Sequence, residues 1–214
     1  MSDAYKTIAA EAKGEFKDRG SKFIAYLFPM PSLDVFSERL SSLRASHFKA
    51  CHCCSAYRLR TGAEKASDDG EPSGSAGKPI LNQLLSKEVV DVGCIVVRYF
   101  GGTKLGVSGL IQAYKQATLI ALESVDIITE YETEPVILAF DYAIMGKLME
   151  ALKYLKISIA SKDLTVNPTL TLDVNRSEVE LTITQIKARL LGRDVKDIEV
   201  DTEVKGLVFE QATG

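Results

Sequence analysis

The most hydrophobic run of the chain, Val89 to Phe100, is typical of a strand that is buried on both faces. Gly101 and Gly102 end this run. Apolar residues at helical spacing then follow at Leu110, Tyr114, Ala117 and Ala121. The pattern predicts a strand, a glycine turn and a helix, an arrangement whose backbone N–H groups can bind an anion.

Upstream of this run, the pattern predicts a strand-rich segment, a helix, a further strand and a loop. Residues from Thr7 to Phe28 are predicted to be extended, with turns at Gly14 and near Asp18 to Ser21. The later elements are a helix capped by Ser32 with the apolar stripe Leu33, Phe36, Leu40 and Leu43, a strand from Cys51 to Arg60, a loop from Thr61 to Gly77, and a helix with Pro79 in its first turn.

The remaining third of the chain alternates between strand and helix patterns in the order βαββαβ, the order of a ferredoxin-like domain. The predicted strands are Val136 to Tyr142, Ile157 to Thr165, Leu170 to Val174, and a last strand containing Ile198, Val200 and Val204. The predicted helices lie between Met145 and Leu155 and from a capping box, Ser177 with Glu180, through Leu190 to a stop at Gly192.

A change of pattern from Ile127 to Pro135 predicts a domain boundary, which gives a first domain over 1–130 and a second over 134–214. The balance of formal charge changes at the same boundary. There are 16 basic and 16 acidic residues up to Thr133, and the other 10 basic and 13 acidic residues give the net charge of −3. The fold class predicted from the whole pattern is α+β.

Composition narrows the function classes. With 46% hydrophobic and 26% charged residues and a pI near 5.6, the chain is an ordinary globular protein rather than a strongly basic nucleic-acid binder. It has no run of roughly 20 apolar residues and no signal-peptide core at its start, which predicts a cytoplasmic protein. Three of its four cysteines crowd into Cys51 to Cys54, an arrangement that favours a reducing compartment.

The glycine turn carries the sharpest candidate chemistry. From Val92 to Leu122 there is no Asp or Glu, whereas Arg98, Lys104 and Lys115 are present. Arg98 and Lys104 are therefore predicted to border an anion or RNA site together with the backbone of Gly101 and Gly102. The alternative is a tight strand–helix turn with a solvated lysine.

A second candidate is the loop that contains Asp68, Asp69 and Glu71 and ends near Lys78. Its three carboxylates could bind a divalent cation, although their spacing is not that of a calcium-binding EF-hand. Pro79 follows Gly77-Lys78, so the loop is not a nucleotide-binding P-loop. The alternative is a structural loop.

His52 lies among Cys51, Cys53 and Cys54. On a strand only two of these four side chains share a face, and no second Cys/His pair exists, so no metal and no cofactor are predicted. Cys54 with His52 could form a nucleophilic pair, but buried cysteines on a strand are more common. Without a nucleophile elbow or a dinucleotide fingerprint, the sequence favours a protein that is not an enzyme.

Two motifs in this region carry a family resemblance. D-D-G-E-P-S-G-S-A-G-K-P-I-L, from Asp68 to Leu81, and V-R-Y-F-G-G-T-K-L-G-V-S-G-L-I-Q-A-Y, from Val97 to Tyr114, resemble the signature of the IMPACT family, of the bacterial YigZ type. The segment A-C-H-C-C-S-A-Y resembles the family pattern A-x-H-N-C-x-A-Y, with Cys53 in place of the amide residue. Ser108 stands where the family usually has glycine.

The resemblance implies a fold and a role. It implies a first domain like the fourth domain of elongation factor G, of ribosomal-protein-like β-α-β-α type, and a ferredoxin-like second domain like that factor's fifth. Eukaryotic members regulate translation through an additional N-terminal domain, and this chain begins within a few residues of the shared one. The implied role is a translation-associated regulator that binds RNA or the ribosome, with His52 and the loop of Asp68, Asp69, Glu71 and Lys78 as possible parts of the groove.

Two alternatives stay open. The protein could be an enzyme or binder that acts on a phosphorylated small molecule held between the acidic loop and Gly101-Gly102, or a protein–protein interaction module without nucleotide contacts. Salt dependence distinguishes RNA binding from the phosphorylated-ligand alternative, because RNA binding weakens steeply with salt and a closed phosphate pocket responds less. The physiological partner and the oligomeric state do not follow from the sequence.

Overall fold

A computed structural model of the chain describes residues 3–199 and 201–211, the last without its side chain. It divides into two compact units, Tyr5–Glu130 and a second unit made of Met1–Ala4 with Tyr131–Gly214. Both units combine helices with antiparallel sheets, which confirms the mixed α and β composition. Whether the second unit folds on its own stays a prediction.

The first unit contains seven strands and three helices. They are β1 (Ala4–Ile8), β2 (Ala12–Asp18), β3 (Ser21–Pro29), α1 (Leu33–Ser46), β4 (His52–Arg58), β5 (Glu64–Ser67), α2 (Gly77–Ser86), β6 (Val92–Tyr99), α3 (Gly106–Glu123) and β7 (Ile127–Tyr131). Strands β2 to β6 form a five-stranded antiparallel sheet in the order β2-β3-β6-β4-β5, and β1 pairs with β7.

Strand β6 lies at the centre of this sheet, and its residues from Val92 to Arg98 are buried. The side chains that alternate along it divide between two cores. Cys94 and Val96 pack with residues of α2 and α3, whereas Ile95 and Val97 pack with residues of α1. The prediction of a strand buried on both faces is confirmed, and helices on both faces of the sheet are the reason.

Several local predictions are wrong, each for a tertiary reason. Gly14 is not a turn but lies inside β2, where a side chain would meet the backbone of Ala117 and Ala121 in α3 at 2.4 and 2.5 Å. The predicted loop from Thr61 to Gly77 contains β5, an edge strand whose four residues are all exposed and so carry no hydrophobic signal.

The second unit has the element order βαββαβ. Its elements are β8 (Thr133–Phe140), α4 (Met145–Tyr154), β9 (Ile159–Asp163), β10 (Thr169–Asn175), α5 (Val179–Leu191) and β11 (Leu207–Gln211). The strands form one antiparallel sheet in the order β11-β8-β10-β9. Apolar residues of β8, β10, α4 and α5 form its core.

The end of this unit differs from the prediction. The last strand begins at Leu207 rather than near Ile198, and Val200 lies outside the described residues. The capping box is also wrong: Ser177 lies in a 3₁₀ turn before α5, and its side chain does not cap the helix. Gly192 does end α5, with a left-handed φ of 66°. None of the described helices is long and apolar enough to span a membrane.

Candidate functional site

Asp68 begins the acidic loop and holds the start of α2. Its carboxylate accepts hydrogen bonds from the backbone N–H groups of Gly74, Ala76 and Gly77 at 2.8 to 3.0 Å. Burial opposes ionisation of this carboxyl, but the three donors outweigh it and lower its pKa. Asp68 is therefore engaged in building the loop rather than in binding a ligand.

The Asp69 carboxylate also makes its contacts within the protein. One carboxylate oxygen accepts from Arg44 Nη2 at 2.6 Å, and the other accepts from the backbone N–H of Cys53 at 2.7 Å. Its backbone carbonyl lies 2.7 Å from His52 Nδ1, which fixes the imidazole against the loop. Among the described residues, no group of three or more His, Cys, Asp or Glu side chains is arranged to hold a metal ion.

Glu71 is buried and forms the centre of a polar network beneath α3. Its Oε1 accepts from Arg98 Nη1 at 2.6 Å and from the Tyr114 hydroxyl at 2.8 Å. Cys54 Sγ lies 3.2 Å from the same tyrosine oxygen and 2.9 Å from the Asp68 carbonyl oxygen, so its one S–H can donate to either acceptor. The network joins β4, β6, α3 and the acidic loop.

This network corrects the expectation for Arg98. Its side chain is only 8% exposed and is paired with Glu71, so it does not present a free guanidinium to solvent. The guanidinium carbon lies 5.5 Å from the ring centre of Phe23 and 5.6 Å from that of Phe100, and Nε has no hydrogen-bond partner. Arg98 is thus part of the folded core, and replacing it is not neutral for stability.

Cys54 does not have the properties of a nucleophile. Burial raises the pKa of its thiol far above the usual value, and the Tyr114 hydroxyl only partly offsets that effect. The hydrogen bond of His52 Nδ1 is with the Asp69 carbonyl oxygen rather than with the thiol. All four cysteines are free.

The glycine turn divides into a packed half and an open half. Gly101 lies against Gly20, where a side chain would approach backbone atoms at 1.9 to 2.3 Å, and its N–H donates to the Ser21 hydroxyl. Gly102 has a φ of 88° and no neighbouring atom where a side chain would be. Lys104 is exposed and makes no ion pair with the described residues.

The predicted site residues therefore fall into two groups. Arg98 and Glu71 are linked through Tyr114 and Cys54 to Asp68. Asp69 lies beside this network and contacts Arg44, Cys53 and His52. The exposed residues Gly102, Lys104 and Lys78 lie outside that network.

The exposed face of α3 adds two apolar residues, Val107 and Ile111, that the sequence pattern did not single out, beside the lysine at 115. Val107, Ile111 and Lys115 recur every four residues, and the two apolar side chains are 53% and 38% exposed. Phe100, just before the turn, is 48% exposed. The four-residue spacing of Val107 and Ile111 could have indicated a second apolar face of α3. The buried stripe of the same helix contains more apolar residues and dominates the sequence pattern.

Comparison with known proteins agrees with this architecture. The model of the Impact N-terminal domain family matches residues 19–122. The IMPACT family member YvyE of Bacillus subtilis is 33% identical over 155 residues, which are 72% of this chain and 71% of the relative. The chain belongs to the IMPACT family.

The chain is also similar to a second family member and to a solved structure. The IMPACT family member YigZ of Escherichia coli is 40% identical over 98 residues, 44% of this chain and 48% of the relative. A crystal structure described as a hypothetical protein superposes with a TM-score of 0.66 at 27% identity, covering 87% of this IMPACT chain and 92% of that one.

Proposed function

We propose that the protein is a translation-associated regulator that contacts RNA or the ribosome through the exposed surface formed by Phe100, Gly102, Lys104 and the outer face of α3. We call this surface the α3 face. The single observation that carries the proposal is its composition: exposed lysines and apolar side chains on a stretch, Val92 to Leu122, that has no carboxylate.

The chemistry of the α3 face suits a nucleic-acid backbone. Lys104 and Lys115 are exposed cations without ion-pair partners among the described residues, so no intramolecular ion pair must be broken when they bind phosphates. Phe100 has an exposed ring, and an unpaired base can stack on an aromatic ring without sequence preference. The buried Arg98 lies beneath Phe100 and supports its position rather than binding phosphate.

The architecture supports the same proposal. The sheet order β11-β8-β10-β9 is that of a ferredoxin-like domain, and we propose this assignment for the second unit. We likewise propose that the first unit corresponds to the fourth domain of elongation factor G. The four free cysteines fit a protein of the cytoplasm.

RNA binding across a salt series tests the proposal. With a single-stranded RNA, Lys104→Ala/Lys115→Ala is expected to weaken binding and to flatten the salt slope by roughly one unit for each lost phosphate contact. Lys153→Ala removes an exposed lysine of α4 and serves as the matched control. Unchanged affinity and slope in a folded double variant would contradict the proposal.

A further inference from the structure

A cavity of about 350 Å³ lies on the opposite side of the five-stranded sheet from the Arg98–Glu71 network. It is bounded by α1 and by the strands β4 and β5, all within the first unit. Its apolar wall consists of Leu33, Phe36 and Leu40 from α1 and Tyr57 from β4. The rings of Phe36 and Tyr57 meet edge to face, with centres 5.0 Å apart.

A buried hydroxyl faces this cavity. Ser55 is 4% exposed and lines the cavity, and alternation along β4 places it with Tyr57 on the α1 side. Its hydroxyl has no hydrogen-bond partner among the described residues. The hydroxyl is therefore available to form a hydrogen bond with a ligand in the cavity.

The charge of the lining is one-sided. Arg44 and Lys65 line the cavity, and no Asp or Glu is among the lining residues. Arg44 uses Nη2 for Asp69, which leaves its other N–H groups outside that contact. Lys65 makes no ion pair with the described residues.

We propose that this cavity binds a small organic anion: an aromatic body against Phe36 and Tyr57, with a carboxylate or phosphate that accepts hydrogen bonds from Lys65, Arg44 and Ser55. The volume is at the lower end of the range for ligand pockets, which fits a single ring with a short acidic group. The ring of the ligand would be a third aromatic ring, in contact with those of Phe36 and Tyr57. This site is separate from the α3 face.

A chemical-shift titration of the full ¹⁵N-labelled chain tests the proposal with four probes. Phenyl phosphate and phenylacetate carry both the ring and the anion, benzyl alcohol carries the ring alone, and inorganic phosphate carries the anion alone. We expect saturable shifts at the cavity with at least one ring-bearing anion, whose relative affinities then identify the acidic group. Benzyl alcohol and inorganic phosphate are expected to bind about tenfold more weakly or not at all.

Three variants locate the binding. Lys65→Ala is expected to lower the affinity for the anion by about threefold to tenfold, the effect of one lost polar contact. Lys153→Ala is expected to leave the affinity unchanged. Ser55→Ala should weaken binding of the anion, because it removes the hydroxyl that donates to it, and should leave the stability of the free protein nearly unchanged, a combination that a purely structural serine would not give. Any of three results would overturn the proposal: benzyl alcohol binds as tightly as the anions, no probe gives saturable shifts, or Lys65→Ala leaves the binding unchanged.

Discussion

Replacing Glu71 with glutamine removes a buried negative charge and keeps the size of the side chain. Glu71 and Arg98 are 3% and 8% exposed, with Oε1 and Nη1 2.6 Å apart. Two unit charges whose centres lie about 4 Å apart attract each other by about 4 kcal/mol at an effective dielectric constant of 20. Because Arg98 would remain buried without a counter-charge, we expect Glu71→Gln to lower the free energy of unfolding of the first domain by about 3–5 kcal/mol.

Two controls separate charge from hydrogen bonding. Tyr114→Phe removes the hydroxyl that donates to Glu71 and accepts from Cys54, so it should cost only about 1–3 kcal/mol. The double variant Glu71→Gln/Arg98→Met leaves no buried charge and should recover most of the loss.

Amide hydrogen exchange in peptides from β6 is the assay. The chain has no tryptophan, and an optical signal from two units would mix their transitions. Exchange of the most buried strand reports the opening of its own unit. A loss of less than about 1 kcal/mol for Glu71→Gln, the value of a surface ion pair, would refute the account of a buried, mutually dependent pair.

Two further predictions concern domain independence and pH. Limited proteolysis is expected to cut within 127–135, and residues 134–214 expressed alone should give a dispersed NMR spectrum; a collapsed spectrum would contradict separate domains. Burial, aided by two nearby lysines, lowers the pKa of His47 in the folded state. The neutral imidazole therefore stabilises the fold above the unfolded pKa of about 6.5. This stabilisation is lost as the pH falls through the lower folded pKa. Amide exchange in β6 peptides at pH 7 and pH 5, corrected for the intrinsic exchange rate, should show a smaller loss of stability in acid for His47→Gln than for the wild type; equal losses would exclude this role.

The fold was predictable where burial leaves a local signal. Strand β6 and the buried stripe of α3 follow directly from runs and periods of apolar residues. Strand β5 was not predictable, because an exposed edge strand with the sequence E-K-A-S has no apolar period. Gly14 was misassigned because its function is close approach to a helix that lies about a hundred residues later.

The exposure of the lysine in the glycine turn could be predicted from the sequence, but the burial of the neighbouring arginine could not. The acid-free stretch around Lys104 is visible in the sequence, and the structure leaves that lysine exposed. The burial of Arg98 depends on Glu71, and the packing of Gly101 depends on Gly20. Each pair is distant in sequence, and no local pattern encodes such a contact.

Crosslinking in cell lysate, followed by mass spectrometry of the RNA-linked peptides, tests whether the α3 face binds RNA. We expect ribosomal RNA on peptides that cover residues 100–115, with a marked reduction in Lys104→Ala/Lys115→Ala and no reduction in Lys153→Ala. Absence of crosslinked RNA, or RNA found only on peptides from 134–214, would contradict it.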